Sequence, residues 1–257
     1  MNSFTDTHCH IHSKDYGLNP ETVIDDAKKA GVLSAICVGT DLEDSKLAVE
    51  FAKMHENIYS SIGIHPHEAK DYINKPNKLT EFADLIGSKK LVAIGECGLD
   101  FYYNHSSSDN QKTILRFQLD LAKKHNLPVI FHVREAFDEF WPIFDEYRGI
   151  RGVIHSFTAD SKELRKIIDR GLYIGLNGIM TFTKNESQLD VVRSAPLSSI
   201  LLETDAPFLT PVPYRGTIAQ LKHIINTADF LAMLRNESLE EFSKATTNNA
   251  NTLFNFR

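Results

Sequence analysis

Short runs rich in β-branched residues alternate along the chain with longer amphipathic stretches. Eight such runs stand out, at 4–9, 32–38, 59–64, 91–96, 128–133, 152–156, 172–176 and 200–204. Their starts are spaced by about one strand plus one helix, the length of a βα unit. The runs are nearly continuous in apolar residues, as in Ile36-Cys37-Val38 and Val129-Ile130-Phe131. Strands covered on both faces of a parallel sheet read this way, whereas half-solvated strands alternate.

Punctuation marks the helices between them. Asn19-Pro20-Glu21 offers an N-cap followed by proline at the first helical position, and Gly31 stands where a helix-ending glycine belongs. Asp160 caps a helix predicted over 161–170, which Gly171 stops. Ser238-Leu239-Glu240-Glu241 has capping-box spacing ahead of Phe242. Pro142, inside the stretch 135–147, predicts either a kinked helix or two short ones. The least regular segments, 102–109 and 206–216, both follow predicted strands, and no internal repeat, low-complexity tract or long linker appears.

Eight βα units in 257 residues predict an α/β protein, a single-domain (β/α)8 TIM barrel spanning 1–257. A doubly wound open sheet competes, but it favours a Gly-rich phosphate loop after the first strand, and His8-Cys9-His10 stands there instead. Composition changes this little: 42% hydrophobic and 24% charged residues exclude a disordered polyelectrolyte or a disulfide miniprotein. Three scattered cysteines, Cys9, Cys37 and Cys97, predict free thiols in a reducing compartment. The start of the chain lacks the basic and apolar regions of a secretory signal, and no apolar run has membrane-spanning length, so a cytoplasmic protein without membrane contact is expected. Nothing in the sequence points to an obligate protein partner. A net charge of −6 argues against holding a long duplex by charge alone.

Placing the polar residues on the predicted strands brings out the chemistry. His8 and His10 end the first strand, His65 and His67 follow the third, and Glu96 to Asp100 follow the fourth. His132 and Arg134 end the fifth strand, His155 the sixth, and Glu203 and Asp205 the eighth. In a barrel these ends surround one mouth, where the active sites of the fold lie. Residues i and i+2 on a strand share a face, so His8 and His10 can grip one ion, and the pairs His132/Arg134 and Glu203/Asp205 also share faces. A lone HxH or strand-end histidine is more often an ordinary hydrogen-bonded residue. Burying His8, His10, Glu96, His132, His155 and Asp205 together without a cation, however, would leave costly unpaired groups. These six residues suffice for two divalent ions at the C-terminal mouth of the strands, with zinc, magnesium or manganese all compatible with nitrogen and carboxylate donors. Glu96 has two oxygens with which to bridge them. Cys9 and Cys97, of opposite parity, are expected to be packing residues.

The segments Asp6-Thr7-His8-Cys9-His10, Gly63-Ile64-His65-Pro66-His67, Gly95-Glu96-Cys97-Gly98-Leu99-Asp100, His155-Ser156-Phe157, Leu202-Glu203-Thr204-Asp205-Ala206-Pro207 and Pro211-Val212-Pro213-Tyr214-Arg215-Gly216 resemble the TatD family of metal-dependent deoxyribonucleases, within the amidohydrolase-like superfamily. The resemblance runs nearly end to end. It implies a two-metal hydrolase of DNA phosphodiesters acting as an exonuclease, with His8, His10 and Asp205 on the first ion, Glu96 bridging, and His132 with His155 on the second. Asp205 is then the base that activates water, and Glu96 shares the catalytic role. His65, Arg134, Glu203 and Arg215 are the substrate-binding candidates, the arginines because a guanidinium fork matches phosphate. The segment Thr217-Ile218-Ala219-Gln220-Leu221 departs from the family pattern, so rim contacts are less transferable than the metal centre. Bound cations would reverse the local sign, so the acidity of the chain is compatible with short contact to single strands or strand ends of DNA.

Three other functions compete. A dinuclear amidohydrolase-like enzyme acting on an amide, lactone or small phosphoester would use the same centre, although many such barrels bridge their ions with a carboxylated lysine where Glu96 stands here. A zinc deaminase needs one ion and a separate glutamate. A barrel that only binds would not need a complete ligand set.

Overall fold

The computed structural model describes residues 2–256. Among these, eight strands form one sheet in the order β1-β2-β3-β4-β5-β6-β7-β8, and the pairs β3–β4, β4–β5, β5–β6 and β7–β8 are parallel. The strands are β1 (Phe4–Cys9), β2 (Val32–Val38), β3 (Ile58–Ile62), β4 (Leu91–Asp100), β5 (Val129–Arg134), β6 (Gly152–Ile154), β7 (Tyr173–Leu176) and β8 (Ile200–Leu202). Helices alternate with them: α1 (Pro20–Lys29), α2 (Leu42–Met54), α3 (Pro76–Ala83), α4 (Ser108–His125), α5 (Phe137–Phe144), α6 (Ser161–Asp169), α7 (Glu186–Ser194), α8 (Ile224–Arg235) and α9 (Leu239–Phe254). Sequential parallel strands with intervening helices are the (β/α)8 arrangement that the apolar runs predict. Among the described residues no helix is long and apolar enough to cross a membrane.

The chain falls into two compact units. The first takes residues up to Ile36 and Ser156–Asn255, the second Cys37–His155 and Phe256. In the first unit Phe4, Ile174, Leu201, Leu231 and Phe242 are buried in the core. Its C-terminal helix α9 is fastened by polar side chains: Thr247 Oγ1 donates to the Ser3 carbonyl at 2.9 Å, and Asn249 Nδ2 donates to the carbonyls of Leu197 and Ile200 at 2.9 Å each. Asn249 thus holds the entry to β8, the strand that leads to Asp205.

In the second unit Ile62, Ile94, Leu119, Phe131 and Phe140 form the core. Two buried glutamines of α4 reach the strand ends. The Gln118 amide accepts from the Ile64 N–H at 2.8 Å and donates to the Ile64 carbonyl at 3.0 Å. Gln111 does the same for Asp100, accepting from its N–H at 2.8 Å and donating to its carbonyl at 2.9 Å. Backbone groups that leave a sheet must find partners when buried. Here two amide side chains supply them next to His65 and at Asp100.

Caps form where the sequence places them. Asn19 accepts from the Thr22 N–H at 3.1 Å, Asp160 from those of Lys162 and Glu163 at 2.9 Å each, and Ser238 from that of Glu241 at 3.2 Å. Pro142 neither splits nor ends its segment: α5 runs through it as one helix of 8 residues. At the sixth position of so short a helix it forfeits one bond, to the first turn.

Five strands differ in length from the sequence reading: β3, β6, β7 and β8 are shorter and β4 is longer. β4 continues past Glu96, where the apolar run ends, to Asp100, because Cys97-Gly98 pairs with Phe131-His132. β8 stops at Leu202, because the Thr204 N–H turns to the buried Asp6 carboxylate at 2.9 Å instead of a neighbouring strand.

Candidate metal centre

In the first unit, β1 and the segment after β8 bring three predicted ligands together. The His8 and His10 Nε2 atoms lie 3.2 Å apart, and each approaches Asp205 Oδ1, at 3.6 and 3.5 Å respectively. Backbone hydrogen bonds set this arrangement: the Asp205 N–H donates to the His8 carbonyl at 2.8 Å and the His10 N–H to the Ala206 carbonyl at 2.7 Å. Below them Asp6 is fully buried and accepts from the Thr204 N–H, from Thr204 Oγ1 at 2.6 Å and from the His8 N–H at 3.2 Å. Burial pushes the Asp6 carboxyl up to about 7, against the pull of the Thr204 hydrogen bonds. Asp6 therefore ties the backbone at the two ligand-bearing ends to each other.

Glu203, predicted to touch substrate, lies inside the first unit at 1% exposure. Its Oε1 accepts from the Ser156 N–H at 2.7 Å and from Asn177 Nδ2 at 3.3 Å. Gly175 makes room for it: a Cβ there would stand 2.3 Å from Glu203 Oε2. Arg215 turns to neighbouring groups of the first unit, with its guanidinium 3.8 Å from the ring centroid of Phe182, in the segment after β7, and Nη1 donating to the Thr210 carbonyl at 2.7 Å.

In the second unit, β4 and β5 carry the densest cluster. His132 is held from both sides: Nδ1 meets Glu96 Oε1 at 2.8 Å and Nε2 meets Asp100 Oδ2 at 2.9 Å. Burial works against an imidazolium here, but the hydrogen bonds to Asp100 and Glu96 outweigh it and raise the His132 pKa. For Asp100, burial pushes the carboxyl up, and the hydrogen bonds from His132, the Tyr103 N–H and His67 overcome it and hold the group below the usual carboxylate range. His67 Nε2 reaches the same Asp100 oxygen at 3.1 Å. His155 Nε2 lies 3.9 Å from Glu96 Oε1, and His65 Nε2 lies 3.6 Å from it.

Backbone geometry makes this crowding possible. Gly98 faces His132 in the ladder, and a Cβ on it would stand 1.9 Å from the His132 carbonyl oxygen. Only glycine lets β4 press this closely behind the histidine. The register also shifts between Ile94 and Cys97, on either side of Glu96, an irregularity of the kind that re-aims a side chain near a site.

His65, predicted to contact substrate, joins Glu96 and His132 in a donor group whose ligand atoms lie within 4.8 Å of one another. Its Nδ1 accepts from the His67 N–H at 3.2 Å, which leaves Nε2 as the protonated nitrogen of the neutral ring. Burial, with His132 alongside, pushes the His65 pKa down to about 3, so the ring stays neutral. Arg134 is exposed at the end of β5. Cys9, Cys37 and Cys97 are free and buried, and burial raises the Cys97 thiol well above its ordinary value.

The sequence reading missed Asp100 as the group that orients His132, and Gln111, Gln118 and Asp6 as supports. Asp100 had a visible signal as the last residue of Gly95–Asp100, but its role depends on the β4–β5 register. The buried glutamines had none, since on a helix they look like solvated positions.

Both donor groups suit divalent metal on their own chemistry. A tetrahedral ion with bonds of about 2.0–2.1 Å separates its ligands by roughly 3.3 Å, close to the spacing among His8, His10 and Asp205. His132, with one nitrogen on a carboxylate and the other toward Glu96, has the carboxylate–histidine arrangement that orients metal ligands.

Parallel sequential strands ending in imidazoles and carboxylates define a barrel of the metal-dependent hydrolase class. The family model described as TatD related DNase matches residues 5–255, and the chain belongs to this family. It is 35% identical to the metal-dependent hydrolase YabD of Bacillus subtilis over 97% of this chain and 98% of that protein. It is 31% identical to the 3'-5' ssDNA/RNA exonuclease TatD of Salmonella typhimurium, over 95% of this chain and 96% of that protein. The crystal structure of YjjV, a TatD homologue from Escherichia coli, superposes with a TM-score of 0.91 at 29% identity, covering 99% of this chain and 98% of that one. The fold is thus the TIM barrel of the TatD proteins.

Proposed function

We propose that the protein hydrolyses DNA phosphodiester bonds with two divalent ions, acting as an exonuclease on single strands or strand ends in the cytoplasm. In this reading the whole chain, 1–257, is one hydrolase domain. His8, His10 and Asp205 hold one ion, and Glu96, His132 and His155 hold the other. The convergence of His8, His10 and Asp205 within 3.6 Å carries the reading, because two imidazoles and a carboxylate at this spacing match the donor set and ligand separation of a divalent ion. The relative named as an ssDNA/RNA exonuclease supports a nucleic-acid substrate, and three buried free thiols suit a reducing compartment.

When bound, the ions supply Lewis acidity toward the phosphoryl oxygens and make water a stronger acid. The chain's own residues do the rest. Asp205 accepts the proton of the attacking water as the new oxygen–phosphorus bond forms and the in-line bond to the sugar oxygen breaks, that oxygen taking up a proton from solvent. His65, neutral with its proton on Nε2, donates to a phosphate oxygen. Asp100 keeps His132 in one tautomer and one orientation, and Glu96 shares the charge of the centre. Arg134 pairs with a flanking phosphate.

The test is an activity panel on end-labelled single-stranded DNA, duplex DNA, RNA and a simple phosphodiester, with magnesium, manganese or zinc and with chelator. Release of nucleotides from single-stranded DNA ends, only with metal, is the expected result. Hydrolysis of amides, lactones or small phosphoesters with DNA left intact would favour the amidohydrolase-like alternative. Full activity after thorough chelation would overturn the metal mechanism.

A further inference from the structure

The segment after β4 leaves two large aromatic rings in solvent beside the densest donor cluster. Tyr102 is 51% exposed and Tyr103 50% exposed, with perpendicular rings and centroids 4.7 Å apart. The Arg134 guanidinium lies over both, its carbon 4.1 Å from the Tyr102 centroid and 4.7 Å from that of Tyr103. A ring that faces a guanidinium takes none of its N–H groups, so these stay available to an anion. Among the described residues Arg134 makes no ion pair, although the chain has 34 acidic residues and Glu135 adjoins it.

The pair is also fastened to the catalytic cluster. The N–H groups of Tyr102 and Tyr103 both donate to Asp100 Oδ1 at 3.0 Å, while Oδ2 of the same carboxylate accepts from His132. Asp100 and Arg134 are register partners across β4 and β5. On its other side Tyr103 meets His67, with ring centroids 5.6 Å apart, and stacks with His105 at 5.9 Å and 24°. One carboxylate therefore fixes both the orientation of a metal ligand and the position of two exposed rings.

We propose that Tyr102, Tyr103 and Arg134 form a nucleotide subsite, in which a base of single-stranded DNA stacks on the exposed tyrosine faces and an adjoining phosphate pairs with Arg134. This rests on the nuclease reading above and adds to it the residues that select the substrate. Stacking needs an open base face, which a single strand or frayed end offers and an intact duplex conceals. Charge complementarity favours this occupant over an apolar peptide, because an unpaired cation lies on the rings. The same pair then explains how an acidic protein engages DNA: contact is short, aromatic and confined to one nucleotide.

The experiment pairs two readouts on the full-length protein. The first is binding of fluorescein-labelled oligothymidylate by anisotropy, in chelator at low salt, so that it does not depend on turnover. The second is steady-state hydrolysis of the same oligonucleotide with manganese. The Tyr102→Leu/Tyr103→Leu variant keeps apolar bulk but no aromatic face. It should bind about tenfold more weakly or worse, and its KM should rise by more than its kcat falls. Tyr102→Phe/Tyr103→Phe should restore binding, and Arg134→Gln should weaken it and flatten its salt dependence. Should the leucine variant fail to fold, as judged by its thermal transition, Arg134→Gln and Tyr103→Leu carry the test alone. A parent enzyme that cleaves DNA with a KM indifferent to these changes overturns the subsite and leaves the nuclease reading standing. A parent that binds the oligonucleotide, loses that binding in the leucine variant and cleaves no DNA overturns the nuclease reading alone. A parent that neither binds nor cleaves overturns both.

Discussion

The two donor clusters use the same residue types and are held in different ways. In the first unit, His8, His10 and Asp205 are placed by the backbone, through the N–H of Asp205 on the His8 carbonyl and that of His10 on the Ala206 carbonyl. The His10 and Asp205 side chains stay open, at 12% and 14% exposure. In the second unit, side chains do the holding: His132, itself 19% exposed, is bonded on both ring nitrogens, and the two carboxylates that hold it are nearly closed off, at 6% and 1%. The first cluster contains the more open carboxylate, Asp205, which in the proposed mechanism accepts the proton of water. The second, with its carboxylates closed off, resembles a fixture whose histidine is oriented in advance. The same chemistry is thus supplied once with solvent access and once with rigidity.

The sharpest way to break this comparison is to remove the open carboxylate. Asp205→Asn eliminates a ligand and the base together, so kcat on labelled single-stranded DNA should fall by about 10³-fold or more. A variant with near-normal kcat would show that the first cluster is not where water is activated. Next comes the fixture. Asp100→Asn should lower metal affinity by roughly 10–100-fold in calorimetric titration of the metal-free protein, since it frees His132 to rotate. If the affinity stays at that of the parent, the double-sided grip on His132 has no function.

The support beneath the open cluster acts through the backbone and should report mainly as stability. Asp6→Ala leaves the Thr204 N–H, its hydroxyl and the His8 N–H with no acceptor, at a cost of about 1–3 kcal/mol in urea denaturation. Its effect on metal affinity should be smaller than that of Asp100→Asn, and the reverse order would contradict the division of labour.

The smallest effect is expected away from both clusters. Asp160 caps α6, and the Glu163 and Lys162 N–H groups hold its carboxyl below the ordinary value. A depressed folded pKa means that the stabilisation is present above the unfolded value of about 3.9 and is lost as pH falls through the folded one. Asp160→Ala should therefore cost about 1 kcal/mol at neutral pH, and less than that in acid, with metal binding unchanged. An altered metal affinity in this variant would mean that general destabilisation is being read as site chemistry.

Much of the arrangement was legible from particular residues. Continuous apolar runs predict all eight strands, and Asn19, Asp160 and Ser238 predict the caps that form. What stayed hidden depends on register and packing. Gly98 lies beyond the end of the fourth apolar run, yet it is the place where one strand presses on the next behind His132. Asp100 shows its role only once the β4–β5 ladder brings its carboxylate to that histidine. Tyr102 and Tyr103 belong to a stretch that looks merely irregular, because exposure is a property of the folded chain. Pro142, which signals interruption, sits inside a helix too short to be broken by it.

The most direct test of the two-metal account is a titration of the metal-free protein with manganese, with hydrolysis of end-labelled single-stranded DNA followed at each addition. The account predicts no turnover before metal and a rate that rises to a plateau as two ions bind per chain. Turnover at the full rate in the metal-free protein, or a plateau reached with no ion bound, would contradict it.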